Sequence, residues 1–263
     1  MQLQLENQQA VVFGASRGIG HAIATGFIAE GCRVAAFDRD PVAAEVDDGS
    51  IALTNGDATS FEEVQRFADS IPEADHIVYS IGVGSGVGGF PFWNQQPSDW
   101  ARVVDVNLFG AVNVAHAFAP RLAARRRGSM LFLVSVAGQI GSQTDPPYSA
   151  AKAALINFVQ CAARDLAPFE VRVNALSPGM VRTDLNRSVW QANQPANQPA
   201  DLPADLPADY DEWAIEKIRR LSPLGQWQTP PEFAAMATFL ASEHARNITG
   251  QTINIDGGQV MHA

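Results

Sequence analysis

The sequence predicts a doubly wound α/β fold, a mostly parallel sheet of seven strands with helices on both faces, built as one domain over residues 1–263. Three observations carry this expectation. Short apolar runs alternate with segments of helical periodicity along the chain. The first apolar run passes straight into a glycine-rich turn and then a helix. A length of 263 residues, 46% hydrophobic and 17% charged, suits a full core rather than a disordered or fibrous chain.

The elements follow in order. Ala10–Phe13 reads as a strand that runs into Gly14, Ser16, Arg17, Gly18, Ile19 and Gly20, then a helix through Glu30 that Gly31 stops. Arg33–Phe37 is the next strand, ending at Asp38. Strand, glycine turn, helix, strand and acid together follow dinucleotide-binding logic. The glycines let the backbone turn tightly and approach a pyrophosphate. The helix start offers free N–H groups and a positive dipole to the phosphates. Asp38 stands where a carboxylate can hold the two ribose hydroxyls of NAD.

Ile51–Thr54 predicts a third strand, leading to Asp57 and Ala58. Thr59 or Ser60 then opens a helix with Glu62 and Glu63 in its first turn, so Asp57 can also be a plain helix cap. His76–Ser80 is the fourth strand and ends at Ile81 and Gly82. Ser98–Arg127 reads as one long helical stretch with a polar Asn107 inside it; Arg125–Arg127 at its end are expected to meet the negative end of the helix dipole. Leu131–Ser135 is a buried strand ending in a hydroxyl. Pro146 and Pro147 open a helix that closes before Pro168. Tyr148 lies in its first turn, and Lys152 one turn later on the same face. Glu170–Leu176 is the sixth strand, followed by the turn from Ser177 through Pro178, Gly179 and Val181 to Thr183. Residues 184–222 are the least regular. Pro195, Pro199, Pro203 and Pro207 recur every fourth residue, which forbids a regular helix there. The segment is either a lid-like insertion with Trp190 and Trp213 at its edges or a surface insertion. Pro231–Leu240 is an amphipathic helix, and Thr249–Gly258 gives the seventh strand and its turn.

Ser135, Tyr148 and Lys152 carry the chemistry. A free tyrosine, with a pKa near ~10, is a poor base at neutral pH. A neighbouring ammonium is expected to lower it, so that the phenol can exchange a proton with an alcohol or carbonyl. A serine hydroxyl can hold the same substrate oxygen. Proton transfer at oxygen is half of an alcohol oxidation. The other half is hydride transfer, which a nicotinamide cofactor supplies.

The spacing Gly14-x-x-x-Gly18-x-Gly20, with Ser135 and Tyr148-x-x-x-Lys152 downstream, resembles the short-chain dehydrogenase/reductase family of the single-domain type. The resemblance runs from about residue 8 to about residue 258. It implies a Rossmann-type fold and a catalytic set of Asn107, Ser135, Tyr148 and Lys152. In that set Asn107 bends its helix, holds a water and links Lys152 to solvent. The resemblance also implies dinucleotide contacts from Gly14, Ser16, Arg17, Gly18, Ile19, Gly20, Asp38, Asp57, Ala58, Gly82, Tyr148, Lys152, Pro178, Gly179, Val181 and Thr183, with Val181 and Thr183 on the carboxamide. It implies a homotetramer or homodimer built on the two long helices. Phe13, where the family has threonine, and Tyr79-Ser80-Ile81, where it has Asn-Asn-Ala, depart from the pattern. The two aromatics could pack together in compensation.

The cofactor expected is NAD, because the Asp38 carboxylate repels a 2′-phosphate; Arg17 and Arg39 keep NADP possible. The activity expected is interconversion of a secondary alcohol and a ketone. An NADPH-dependent ketoreductase is the nearest alternative, and a non-catalytic dinucleotide-binding regulator is the more distant one. No metal site is expected. A net charge of −10 argues against nucleic acid and anionic membrane as partners. The absence of a signal sequence and of an apolar run near spanning length predicts a cytoplasmic protein. Cys32 and Cys161 are expected to be buried free thiols. The substrate is a small-molecule alcohol or ketone. Its pocket walls are expected from Val83–Trp93, Val136–Asp145, Met180 and the 184–222 insertion, which mix Phe90, Phe92, Trp93 and Trp190 with Gln139 and Gln143.

Overall fold

The computed structural model describes residues 2–42, 51–87, 92–141, 145–183, 186–187, 190–191 and 209–261. Phe90, Gln143 and the proline repeat within 192–208 lie outside the described residues.

Seven strands form one sheet: β1 (Gln9–Phe13), β2 (Arg33–Asp38), β3 (Leu53–Asn55), β4 (His76–Tyr79), β5 (Ser129–Leu133), β6 (Arg172–Pro178) and β7 (Thr252–Ile255). Their order is β3-β2-β1-β4-β5-β6-β7, and every pair is parallel. The order reverses between β1 and β4, and the loops leaving these two strands part there to open a crevice. The helices are α1 (Gly18–Ala29), α2 (Phe61–Asp69), α3 (Pro97–Val104), α4 (Gly110–Arg125), α5 (Pro146–Leu166), α6 (Tyr210–Leu221) and α7 (Pro230–Ala241).

Alternation along β1 builds both cores. Val11 and Phe13 point to one face, into a cluster with α2, α4 and α5; Ala10 and Val12 point to the other, with α1 and α7. The two-faced burial explains why the strands read as continuous apolar runs. On the α1 side, Gly26 brings α1 close to α7, where a Cβ would lie 3.0 Å from that of Ala234.

Several expectations shift. β3 starts at Leu53 rather than Ile51, and β5 ends at Leu133, two residues short of Ser135, which instead caps a short 3-10 turn. Ser60 is the cap of α2, its hydroxyl accepting from Glu63 N, whereas Asp57 binds the N–H and hydroxyl of Thr59. Arg125 does stand in the last turn of α4, as expected, but the three arginines also have specific partners. Arg125 and Arg127 both donate to Asp75, which is 4% exposed, and Arg126 pairs with Glu170. Burial alone would raise the Asp75 pKa, but the Gln9 N–H and the two guanidinium groups hold it below its ordinary value. Cys161 is exposed, and only Cys32 is buried. Within 184–222 a helix does form, α6, beginning after the last proline of the repeat; Asp209 caps it, with Asp211 and Glu212 in its first turn and Arg219 and Arg220 in its last. The continuous helix Pro97–Arg125 is long and apolar enough to cross a membrane, contrary to the expectation of no such run; 44% of its apolar window is buried within the fold.

Phe13 and Tyr79 are direct register partners on β1 and β4, both fully buried. Phe13 packs its ring against Phe37, Phe67 and Phe118 at centroid distances of 5.1, 5.6 and 6.0 Å. The Tyr79 hydroxyl donates to Val106 O. That carbonyl lies in Asp105–Phe109, a π turn between α3 and α4 whose register is shifted by one residue, so that Gly110 N bonds Asp105 O. Gly110 leaves room for the phenol: a Cβ there would sit 2.3 Å from the hydroxyl.

Candidate active site

A cleft of ≈ 840 Å³ opens at the carboxyl ends of the strands. Every expected dinucleotide contact lines it, as do Ser135, Tyr148 and Lys152. Asn107 does not: it is fully buried behind the wall.

The glycine turn is shaped by close approach. Gly14 adopts φ +87°, and a Cβ there would meet Ser80 C at 2.9 Å. A Cβ on Gly20 would stand 1.9 Å from Gly14 O, so the turn closes only on glycine. Behind it α1 begins without a side-chain cap and with no acid in its first turn, which leaves its leading N–H groups for a ligand. Asp38 ends β2 with Oδ2 accepting from Ser16 N at 3.0 Å. Arg17 and Arg39 both turn to Asp40, at 2.7 and 3.5 Å, so neither is an unpaired cation beside Asp38. Thr183 lies over the same turn, 3.5 Å from where a Gly18 Cβ would be. A glycine cradle that any side chain would fill, an uncapped helix start and a carboxylate at the next strand end fit an adenine dinucleotide.

Tyr148 and Lys152 lie on one face of α5. Pro146 and Pro147 occupy its first positions, and Asp145 caps it by accepting from Tyr148 N at 3.5 Å. Lys152 is 2% exposed; its Nζ donates to Leu133 O at 2.8 Å and lies 5.6 Å from the Tyr148 ring centroid. Burial pushes the Lys152 ammonium down to about 7. Burial also pushes the Tyr148 phenol up to about 12, a hydrogen bond with Ser135 opposing this and the Asp145 charge adding to it. The expected lowering by Lys152 is therefore reversed in the protein by itself. The cause is desolvation, while the Lys152 Nζ is committed to Leu133 O and stands 5.6 Å from the ring centroid. At neutral pH the phenol holds its proton.

Asn107 occupies the π turn. Its Nδ2 donates to Val103 O and Val83 O, each at 2.8 Å, and its Oδ1 accepts from Val83 N at 3.4 Å. The side chain thus clamps the loop that follows β4. Gly82 separates it from Lys152, since a Cβ on Gly82 would lie 3.3 Å from Asn107 Oδ1 and 3.5 Å from Lys152 Nζ.

Asp145, Lys217 and Arg220, all within the expected wall segments, line the cleft, as does Gln259, which lies outside every expected segment. Asp145 Oδ2 also accepts from Ser85 N at 2.8 Å, joining the α5 start to the loop after β4. Burial, the larger effect, raises its pKa against the bonds from Ser85 and Tyr148. An acid directly before two prolines is a readable capping signal. Each expected wall segment contributes to the cleft, through Val83, Val136, Met180 and Asn186 among others, but several of the expected side chains do not. Met180 lines the cleft, but Gln139 pairs with the Asn254 side chain, and Phe92 and Trp93 are 63% and 68% exposed outside it. Trp190 and Trp213 join Met180, Tyr210, Ile218 and Trp227 in an apolar cluster beside the cleft.

Fold and cleft together define a class: a parallel α/β protein with a dinucleotide-type glycine turn at its switch point and a Ser–Tyr–Lys group across from it. Residues 14–260 match the family described as enoyl-(acyl carrier protein) reductase, and the chain belongs to this family of short-chain dehydrogenase/reductases. It is 30% identical to a 3-oxoacyl-(acyl-carrier-protein) reductase of Synechocystis sp., covering 98% of both chains. It is 29% identical to a (3R)-3-hydroxyacyl-CoA dehydrogenase of Mus musculus, covering 99% of each. Among solved structures it resembles the ligand-free aldohexose dehydrogenase of Thermoplasma acidophilum, with a TM-score of 0.85, 26% identity and coverage of 100% of this chain and 98% of that one. The protein is an oxidoreductase of the nicotinamide-dinucleotide-dependent kind.

Proposed function

We propose that the protein is an NAD(H)-dependent oxidoreductase interconverting a secondary alcohol and a ketone. The observation that carries this reading is the convergence of Ser135, Tyr148 and Lys152 on the cleft that the glycine turn and Asp38 also line. When bound, the nicotinamide supplies or accepts the hydride. Gly14, Ser16, Arg17, Gly18, Ile19, Gly20, Asp38, Asp57, Ala58, Gly82, Pro178, Gly179, Val181 and Thr183 would hold the dinucleotide. Ser135 holds the substrate oxygen and stabilises charge developing on it. Tyr148, protonated at neutral pH, gives its proton to a ketone oxygen in reduction; in oxidation it first loses its proton to solvent through the relay and, as the phenolate, takes the alcohol proton. Lys152 holds the nicotinamide ribose and supports the phenolate when it forms. Asn107 fixes the loop between itself and Lys152 and sustains the proton relay from Lys152.

NAD is favoured by the Asp38 carboxylate at the ribose position and by the engagement of Arg17 and Arg39 with Asp40. The second reading, a 3-oxoacyl ketoreductase using NADPH, is supported by the names of the Synechocystis and mouse relatives. In both readings the protein is cytoplasmic and forms a homotetramer or homodimer, through the solvent-facing Ala150, Ala153 and Ala154 of α5 and Phe109. The test is titration of NADH and NADPH by energy transfer from the five tryptophans to the nicotinamide. Tighter NADH binding with NAD-coupled turnover of secondary alcohols supports the first reading. Tighter NADPH binding replaces it with the second.

A further inference from the structure

The α6 end of the cleft carries positive charge that no carboxylate among the described residues pairs. Lys217, on α6, is half-buried with its Nζ 4.6 Å from the Trp213 ring centroid. Arg220 lies one turn further on, and both line the cleft beside Leu221 and Gln259. Among the described residues neither forms a salt bridge, whereas Arg17 and Arg39 at the adenosine end both meet Asp40. Burial pushes the Lys217 ammonium down to about 8, and the charge of Arg220 adds to that. The α6 dipole accounts for Arg219 and Arg220 in the last turn. It does not account for Lys217, a turn earlier, where desolvation works against the charge. The Trp213 ring offsets part of that cost, and a ligand anion would offset what an ion pair otherwise does. The chain carries a net charge of −10, yet this wall of its cleft holds two cations with no salt bridge among the described residues, next to Met180 and the apolar cluster of Tyr210, Trp213 and Ile218 beside the cleft.

We infer that the substrate carries an anionic group, a carboxylate or a phosphate, which Lys217 and Arg220 bind at the α6 end while Ser135 and Tyr148 hold the reacting oxygen. This rests on the oxidoreductase reading of the same cleft and narrows its substrate to oxo or hydroxy anions. Lys217 is the specificity-determining member: it is the less exposed of the two and is set by its stack on Trp213. Arg220, at the surface, draws the anion in.

The experiment uses wild type, Lys217→Gln and Lys217→Arg, each saturated with NADH. Calorimetry measures binding of the hydroxy forms, which NADH cannot reduce, of two matched pairs: 3-oxobutanoate against its methyl ester, and a phosphorylated hydroxyketone against its unphosphorylated form. NADH-coupled kcat/KM is read on the same pairs. Wild type is expected to prefer one of the anions over its neutral form by about 10- to 100-fold, the worth of one charge-assisted hydrogen bond. Which pair shows the preference identifies carboxylate or phosphate. Lys217→Gln is expected to bring that ratio near unity, and Lys217→Arg to restore most of it. The inference is overturned if wild type prefers neither anion, or if Lys217→Gln keeps the ratio. It is equally overturned if Lys217→Gln loses NADH affinity with the ratio intact, which would make Lys217 a partner of the dinucleotide pyrophosphate. An anion preference in binding without reduction of any ketone would sink the proposed chemistry and leave the anion site standing.

Discussion

Replacing Tyr79 by Phe removes one oxygen atom and tests how the π turn is held. Tyr79 is fully buried, its hydroxyl donates to Val106 O, and Gly110 leaves the space it occupies. The variant leaves a carbonyl without this donor and a hole beside Gly110. An unsatisfied buried acceptor costs about 1–3 kcal/mol. At about 2–4 °C per kcal/mol for a chain of this size, a loss near 2 kcal/mol lowers Tm by about 4–8 °C. Calorimetry checks the stability, and amide exchange checks residues 105–110, which should lose protection ahead of the rest of the helix. The complementary change is Gly110→Ala. Alone it clashes, its Cβ falling 2.3 Å from the hydroxyl. Combined with Tyr79→Phe it fills the hole, so the double variant should be more stable than the sum of the two single losses allows. Additive losses, or a Tyr79→Phe protein melting within 1 °C of wild type (well inside the ~4 °C expected), would refute the role given to the hydroxyl.

Other outcomes follow from the same geometry. Tyr148→Phe is expected to bind NADH normally and to lose turnover by about 10²-fold or more, read in a coupled assay. Asp145→Asn removes the negative neighbour that raises the Tyr148 phenol. The rise in alcohol-oxidation rate with pH, which follows formation of the phenolate, should therefore move to lower pH, and an unmoved rise would discount Asp145. Gly20→Ala should abolish dinucleotide binding in fluorescence titration, because its Cβ would sit 1.9 Å from Gly14 O. Acid stability is expected to follow His76, buried between Ser129 and Gln8 and pushed by burial from 6.5 to about 4. The unfolded chain takes up this proton first. The contribution is therefore full above pH 6.5 and is lost at up to about 1.4 kcal/mol per pH unit as pH falls towards 4. Urea midpoints measured across that range check it, and His76→Asn should flatten the slope.

The parts legible in the sequence were those in which local chemistry and topology agree. The glycine turn at Gly14–Gly20, the acid at Asp38 and the Tyr148–Lys152 spacing each need only a strand end or a helix start beside them. The parallel order then brings them together. Strand limits were less legible: β3 and β5 end where their neighbours stop pairing, which no single strand reports. Long-range partners were illegible. Nothing near Arg125 or Arg127 points to Asp75, roughly fifty residues away, and the dipole reading was the local substitute for it. The reversed shift of Tyr148 has the same origin, because burial is a property of the assembled walls. Asp145 and α6 were readable in principle, through an acid before Pro146 and a capped, charge-graded segment after Asp209. The second was hidden by its proline-rich approach.

The one-residue slip at Asp105–Phe109 fixes the rotational phase of everything after it. In an α-helix each residue advances the surface by about 100°. The slip therefore turns α4 by about that angle relative to a straight continuation of α3. Only in this phase do Ala111, Val114, Phe118 and Leu122 face the sheet while Val103 and Asn107 also point inward. Deleting one residue from the turn would mend the hydrogen-bond ladder and still ruin the protein, by swinging the apolar stripe of α4 sideways off β4 and β5. The placement of a single asparagine and the packing of a sixteen-residue helix are set by the same added residue, so neither can be changed without the other.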